Sequence, residues 1–329
     1  MGSHNMQREH QEPDELENYE EPVHKHGKIR VVKPILLIIL IASCGKNKSS
    51  HGDNYFSEIE QKASLYCELS KPEYERNNWV VEECDGAGFT SLYALACGQA
   101  GVDLSVFQNP SGEMFRNPNH DCYPARSKAG FSKDHVLMRL VAAVGQGDKE
   151  WPKTFLDYTK SNGGFFCDAI DNVTKISRCF ISPFLIEYLS KAKGGSSLLE
   201  EKYSDDAWGE KEGFEAHLHV LGIWVKGKLD GSISNVDLSY LEAYAKREPM
   251  NALYQALAYR YEKASRDSVV SAFDNGYWPS DRMPDSTTHC SDYLFQRDMK
   301  STKDWEPCPE ENKVYSGTDY SFAAYILTK

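Results

Sequence analysis

Residues 131–147 read FSKDHVLMRLVAAVGQG, and their spacing decides the class of fold. Val136, Leu137, Leu140, Val141 and Val144 recur at three- and four-residue intervals, so they line one face of an α-helix and could not line one face of a strand. Ser132 stands where an N-cap oxygen is wanted, and Gly145 and Gly147 stand where the helix is expected to stop.

The same reading extends outward in both directions. Apolar stripes of helical period run over residues 57–69, 89–101 (with Gly98 and Gly101 as stops), 150–162, 205–228, 236–247, 251–263, 266–274 and 318–328. Residues 183–193 add a Ser182 cap with Pro183 in the first turn, and 290–298 form a short further helix. The one strand signal is FFCD and ISRCF about the turn-like DNVTK (171–175), a small β-hairpin. Helices of this length joined by short loops pack as antiparallel hairpins, so the expected fold is all-α, an α/α toroid with disulfide-stapled loops. An open array of hairpins would read the same, but no fixed-period repeat is present, which favours irregular closure.

Upstream, LLIILIASCG (36–45) contains the longest apolar run, Ile35–Ala42, which is far short of the ~20 residues a spanning helix needs. Lys28, Arg30 and Lys33 precede it and Ala42-Ser43 follow, the order of a secretory signal. Ile41-Ala42-Ser43-Cys44 resembles the bacterial lipobox, which implies cleavage before Cys44, a lipid on that cysteine and anchoring to the bacterial envelope. Gly45 after the cysteine resembles the pattern of outer-membrane sorting. Residues 1–30 are then a disordered tail or an extension upstream of the true start; MGSHNM resembles a tag remnant, and Val32 is a possible start position. Residues 31–43 are the signal peptide, 44–54 (Gly/Ser/Lys/Asn-rich) a flexible tether, and 55–329 a single helical domain.

Setting Cys44 aside leaves Cys67, Cys84, Cys97, Cys122, Cys167, Cys179, Cys290 and Cys308, an even set that in an exported chain implies disulfides. Cys167 with Cys179 across the hairpin and Cys290 with Cys308 are the expected local pairs. No C-x-x-C occurs, so the thiolate spacing of structural zinc is missing. Residues 1–43 hold five of the 37 basic and seven of the 49 acidic side chains, so the mature chain keeps 32 and 42 and a net charge of −10. Such a surface repels nucleic acid and anionic headgroups, leaving the lipid as the membrane contact.

Several chemistries are excluded by motif. The chain has no phosphate loop, no G-x-S-x-G and no H-E-x-x-H, and no cofactor is implied. His217 and His219 are two apart on a helix and point about 200° apart, so they cannot share a metal. Glu215 and His219 share a face and read as a helix-surface pair. Residues 230–237, DGSISNVD, miss the calcium-loop spacing and read as a turn.

Three segments are dense in groups that bind or react. In 276–298, GYWPSDRMPDSTTHCSDYLFQRD, Tyr277 and Trp278 can stack on a sugar face while Asp281, Arg282, Arg297 and Asp298 hydrogen-bond its hydroxyls. The structural alternative is that Cys290 and Cys308 staple this end and the aromatic groups fill it. In 117–135, Arg126, Lys128 and Lys133 gather positive charge at a helix entrance suited to phosphate, uronate or carboxylate, and Asp134 and His135 are a titratable pair in its first turn. An Asp there also complements the helix dipole with no catalytic role. Asp85, ahead of the helix at 89, is a substrate carboxylate or a cap.

D-x-x-x-F-T-x-L from residue 85, S-K-D-H from 132, W-P-S-D-R-M-P from 278, Cys290, Q-R-D and D-W-x-P-C together resemble a group of exported bacterial proteins with α/α-toroid-like patterning. The resemblance implies no particular activity, although toroids elsewhere house glycoside hydrolases and polysaccharide lyases. The function expected is therefore a glycan-directed cleft on an envelope lipoprotein, with Asp134 and Asp281 as the catalytic carboxylates and Asp85 in reserve. Arg126, Arg282 and His135 would orient substrate. The alternative is a non-catalytic module that binds envelope polymer or protein with the same loops.

Overall fold

The computed structural model describes residues 53–80, 86–98, 101–118, 131–169, 177–196, 211, 213–274 and 318–329. The described part is mostly helical, with ten α-helices: α1 (Asp53–Asn77), α2 (Gly86–Ala96), α3 (Lys133–Gln146), α4 (Glu150–Ser161), α5 (Pro183–Ala192), α6 (Gly213–Asp230), α7 (Asn235–Arg247), α8 (Ala252–Arg260), α9 (Arg266–Asp274) and α10 (Thr318–Thr328). Between α4 and α5, β1 (Phe165–Ala169) pairs antiparallel with β2 (Ser177–Phe180), in a register that places Cys167 opposite Cys179. Helix α1 begins at Asp53, two residues inside the stretch read as tether.

Local chemistry sets these boundaries. The Ser182 hydroxyl accepts the Leu185 N–H, Ser234 that of Asp237 and Asn251 that of Tyr254, each satisfying a first-turn amide that has no partner within the helix. Asp148 does the same for α4, accepting the amides of Glu150 and Trp151 on one oxygen while its other takes Nη2 of Arg139 at 2.9 Å. At the far end of α10, the Arg260 guanidinium donates to the Ile326 carbonyl.

Gly145 does not stop α3. The helix runs through it to Gln146 and ends at Gly147, whose φ of 71° is the left-handed C-cap. Gly145 is instead where two helices touch: a Cβ there would lie 2.5 Å from Cδ1 of Leu95, and a Cβ on Gly88 would lie 2.6 Å from Sδ of Met138. Gly88 meets the start of α3 and Leu95 its end, so α2 and α3 lie side by side in the same direction. This departs from an antiparallel hairpin because the connection 97–132 is long enough to return the chain to its starting side. Helices α6 and α7, joined by a tight turn at Gly231 (φ 72°), are antiparallel: Lys226 meets Asp237, and His219 meets Tyr244 a further seven residues away on each helix.

The core joins every layer. Helix α2 is buried from Gly86 to Leu95 and α8 from Ala252 to Ala258. In α6, every residue from Ala216 to Val225 is buried. Side chains such as Phe89, Leu92, Leu257, Trp224 and Phe322 each contribute about 1.5–3 kcal/mol by leaving water. Helix α10 packs on α1, α2 and α8; α2 packs on α3, α3 on α6, and α6 on α8. A Cys67–Cys97 disulfide, with Cα atoms 5.4 Å apart, ties α1 to the end of α2.

Candidate functional site

The first turn of α3 carries the densest chemistry among the described residues. Ser132 is the N-cap by backbone position, yet its hydroxyl caps no amide. It donates instead to Oδ1 of Asp134 in a short hydrogen bond, and His135 Nδ1 lies 2.6 Å from the same hydroxyl oxygen. A hydroxyl has one proton, and here it goes to the carboxylate, so Nδ1–H of His135 donates into Ser132 Oγ. His135 Nδ1 also stands 3.5 Å from Oδ1 of Asp134.

A seryl-His-Asp nucleophile would need a different arrangement. In that chemistry the imidazole links hydroxyl and carboxylate through opposite ring nitrogens, so that the serine proton can pass to the ring. Here Ser132 and Asp134 share one ring nitrogen of His135, and the serine O–H already points at the carboxylate rather than at the ring. Ser132 therefore positions Asp134.

Asp134 is ionised. Burial alone would raise its carboxyl, but the His135 imidazole and its hydrogen bond, the Ser132 hydroxyl and the Arg116 guanidinium outweigh burial and hold it well below the usual carboxylate range. Arg116 is fixed by its own backbone, whose carbonyl accepts the Ala87 N–H at 2.8 Å at the start of α2. Oδ1 is thus committed; among the described residues no hydrogen bond or ion pair reaches Oδ2, and 12% of the side chain is exposed.

Facing this group is His217, in the second turn of α6. It is fully buried, and burial pushes its imidazole down to about 3 against the pull of Asp134, so it is neutral at ordinary pH. His219 is buried too, and Glu215, with a side chain 65% exposed, pairs with Lys211 Nζ at 3.6 Å. The helix-surface pairing of Glu215 with His219 is therefore wrong. His219 lies on the stripe of α6 that Glu215 and Lys226 share and that meets α7, while His217 lies on the opposite, wholly buried side, so both histidines go inside.

His219 belongs to a second buried network. The Tyr244 hydroxyl accepts the Lys211 N–H at 3.0 Å and lies 2.8 Å from His219 Nδ1. His219 Nε2 faces Asp237 at 3.8 Å, and Asp237 accepts from Lys226 Nζ at 2.7 Å and from Ser234 at 2.9 Å. Burial drives the His219 imidazole down, with Asp237 opposing; burial would raise Asp237, but His219, Lys226 and Ser234 keep it low. This network clamps the start of α6 to α7 and so fixes where His217 is presented.

Of the residues singled out from sequence, Asp134 and His135 fall together in this cluster, and Cys67 and Cys97 form the bridge. Asp85, Arg126, Tyr277, Trp278, Asp281, Arg282, Arg297, Asp298, Cys44, Cys84, Cys122, Cys290 and Cys308 lie outside the described residues. Arg116, Ser132 in its positioning role, and His217 were missed. Asp85 and residues 275–317 adjoin the starts of α2 and α10 in the chain. Among the described residues, no group of three or more His, Cys, Asp or Glu is placed to hold a metal ion, and no helix is long and apolar enough to cross a membrane. No protein-family model, curated protein or solved structure matches this chain.

Proposed function

We propose that this is an exported envelope lipoprotein, anchored through Cys44, whose domain is an α/α toroid with a mouth that binds a glycan and cleaves it. The observation that carries the site is the ionised, half-committed carboxylate of Asp134, under the influence of the Arg116 guanidinium and beside the buried His217, at the start of the buried helix α3. A carboxylate held this low cannot donate a proton near neutral pH. In a glycan-cleaving reaction Asp134 is then the base, or the carboxylate that stabilises charge, and the acid comes from another group, for which Asp281 and Asp85 are the candidates.

Support for closure comes from the circuit α2–α3–α6–α8–α10, which returns to α2 through direct packing. Its members α2 and α3 run parallel, α6 presents His217 at the α3 start, and α8 and α10 end together at Arg260. Parallel buried helices with antiparallel partners outside them are the layout of a toroid. The Cys167 and Cys179 register supports a further disulfide there, and the Cys67–Cys97 bridge suits an oxidising compartment.

The purified, oxidised protein should be incubated with peptidoglycan, neutral glycans and uronic-acid polymers and the soluble products read by mass spectrometry. Products with an added water identify a hydrolase and unsaturated ends a lyase, and Asp134→Asn should then lower turnover by at least about a hundredfold. Retention on a polymer without products identifies the non-catalytic binding module, a reading favoured by Asp134 being the one carboxylate of its cluster among the described residues. Neither products nor retention removes the glycan from the proposal. Anchoring is checked separately: radiolabelled fatty acid should enter the wild-type chain and not the Cys44→Ala variant.

A further inference from the structure

The inference rests on the glycan reading above and narrows it. We propose that the sugar unit held at Asp134 is uncharged, so that the site takes a hydroxyl-rich neutral glycan and turns away both uronates and free amino sugars.

Oδ1 of Asp134 is occupied by the Ser132 hydroxyl and approached by His135, whereas Oδ2 carries no hydrogen bond or ion pair among the described residues and is the part of the side chain left open. An ionised carboxylate oxygen can only accept, so whatever meets Oδ2 must bring a donor. A sugar hydroxyl meets that requirement, and a charge-assisted bond to it is among the stronger hydrogen bonds available.

Charged ligands are each opposed by a fixed group. A uronate would set a second carboxylate beside Asp134, whose side chain is only 12% exposed, and like charges repel more at such a partly dry position than in solution. The positive end of α3 does not offset this, because Asp134, in its first turn, already complements it. An ammonium group would be drawn to Asp134 but repelled by the Arg116 guanidinium, which is near enough to help hold Asp134 ionised and is anchored through its carbonyl on Ala87. His217, neutral through burial, adds no charge to tip the balance either way. The basic character expected at the entrance to α3 is not repeated inside it, where Lys133 is exposed and the inward group is acidic.

The test uses the full chain and three hexasaccharides of matched length: N-acetylglucosamine (neutral), galacturonate (acidic) and glucosamine (cationic), with binding measured by calorimetry. The neutral oligomer should bind at least about tenfold more tightly than either charged one, and Asp134→Asn should shrink the margin over galacturonate by a similar factor. Galacturonate or glucosamine binding as tightly as the neutral oligomer overturns this inference while leaving the glycan reading in place. Binding of none of the three overturns both. If Asp134→Asn fails to fold, as judged by its melting transition, the comparison among oligomers on the wild-type protein decides alone.

Discussion

His217 shows how a single buried side chain makes stability depend on pH. In the unfolded chain its imidazole takes up a proton below about pH 6.5. In the folded protein it does so only near 3, because burial disfavours the charged form. Between those values the unfolded state binds more protons, so folding weakens as the pH falls through this window. Asp134 acts in the same direction further down: its depressed carboxyl contributes stability above the unfolded value of about 4, which is lost at lower pH. Urea midpoints taken at pH 7.5 and 5.0 should differ in the wild type, with His217 accounting for about 2 kcal/mol of the loss. His217→Gln should show a flatter dependence, not a flat one, because His219 is also held down by burial. An unchanged slope in the variant would mean that His217 is not buried as described.

At the scale of elements, packing between helices makes two further statements that can be checked. Asp237 and Lys226 join α6 to α7 as a buried ion pair, and Asp237→Ala strands the ammonium; the expected cost is about 3–5 kcal/mol by chemical denaturation. Gly145→Ala gains about 1 kcal/mol of helix propensity but drives a methyl into both Cδ atoms of Leu95. The net effect should be destabilising, and Leu95→Ala should cost less in that background than in the wild type, by at least about 0.5 kcal/mol. Additive effects would show that α2 and α3 are not in contact at this point. The elements themselves were largely legible in the sequence: Ser182-Pro183 marks the start of α5 and its hydroxyl caps the expected turn, while Ser234 and Asn251, not read as caps, cap α7 and α8 close to the starts expected from periodicity. Ser132 carried the same mark, but its hydroxyl is drawn to Asp134 and His135, a competition between side chains that a capping rule does not contain. His217 was hidden for another reason. The polar stripe of α6, Glu215, His219 and Lys226, is the one that meets α7, whereas His217 stands among apolar residues on the opposite side, and periodicity does not say which neighbour it faces there. Arg116 acts on Asp134 from 18 residues upstream and another part of the fold, and no helical or strand spacing encodes that influence.

Across the whole molecule, one covalent bond and one helix do most to hold the ends of the described chain. The Cys67–Cys97 bridge closes a loop between residues 30 apart, and removing it should cost about 3–4 kcal/mol. Under oxidising conditions the Cys67→Ala/Cys97→Ala variant should have a urea midpoint below that of the wild type, whereas equal midpoints would show that the bridge adds nothing. Helix α10 closes the non-covalent circuit: Tyr320, Phe322, Ala323, Ala324 and Ile326 are buried against helices drawn from the first and second halves of the chain. During synthesis the ribosome releases these residues after all the others they pack against. Until they emerge, α1, α2 and α8 lack a shared neighbour and the nascent polypeptide cannot settle into its final packing. Timing is thus written into the order of the helices: α1, α2 and α8 are all made before the helix that joins them.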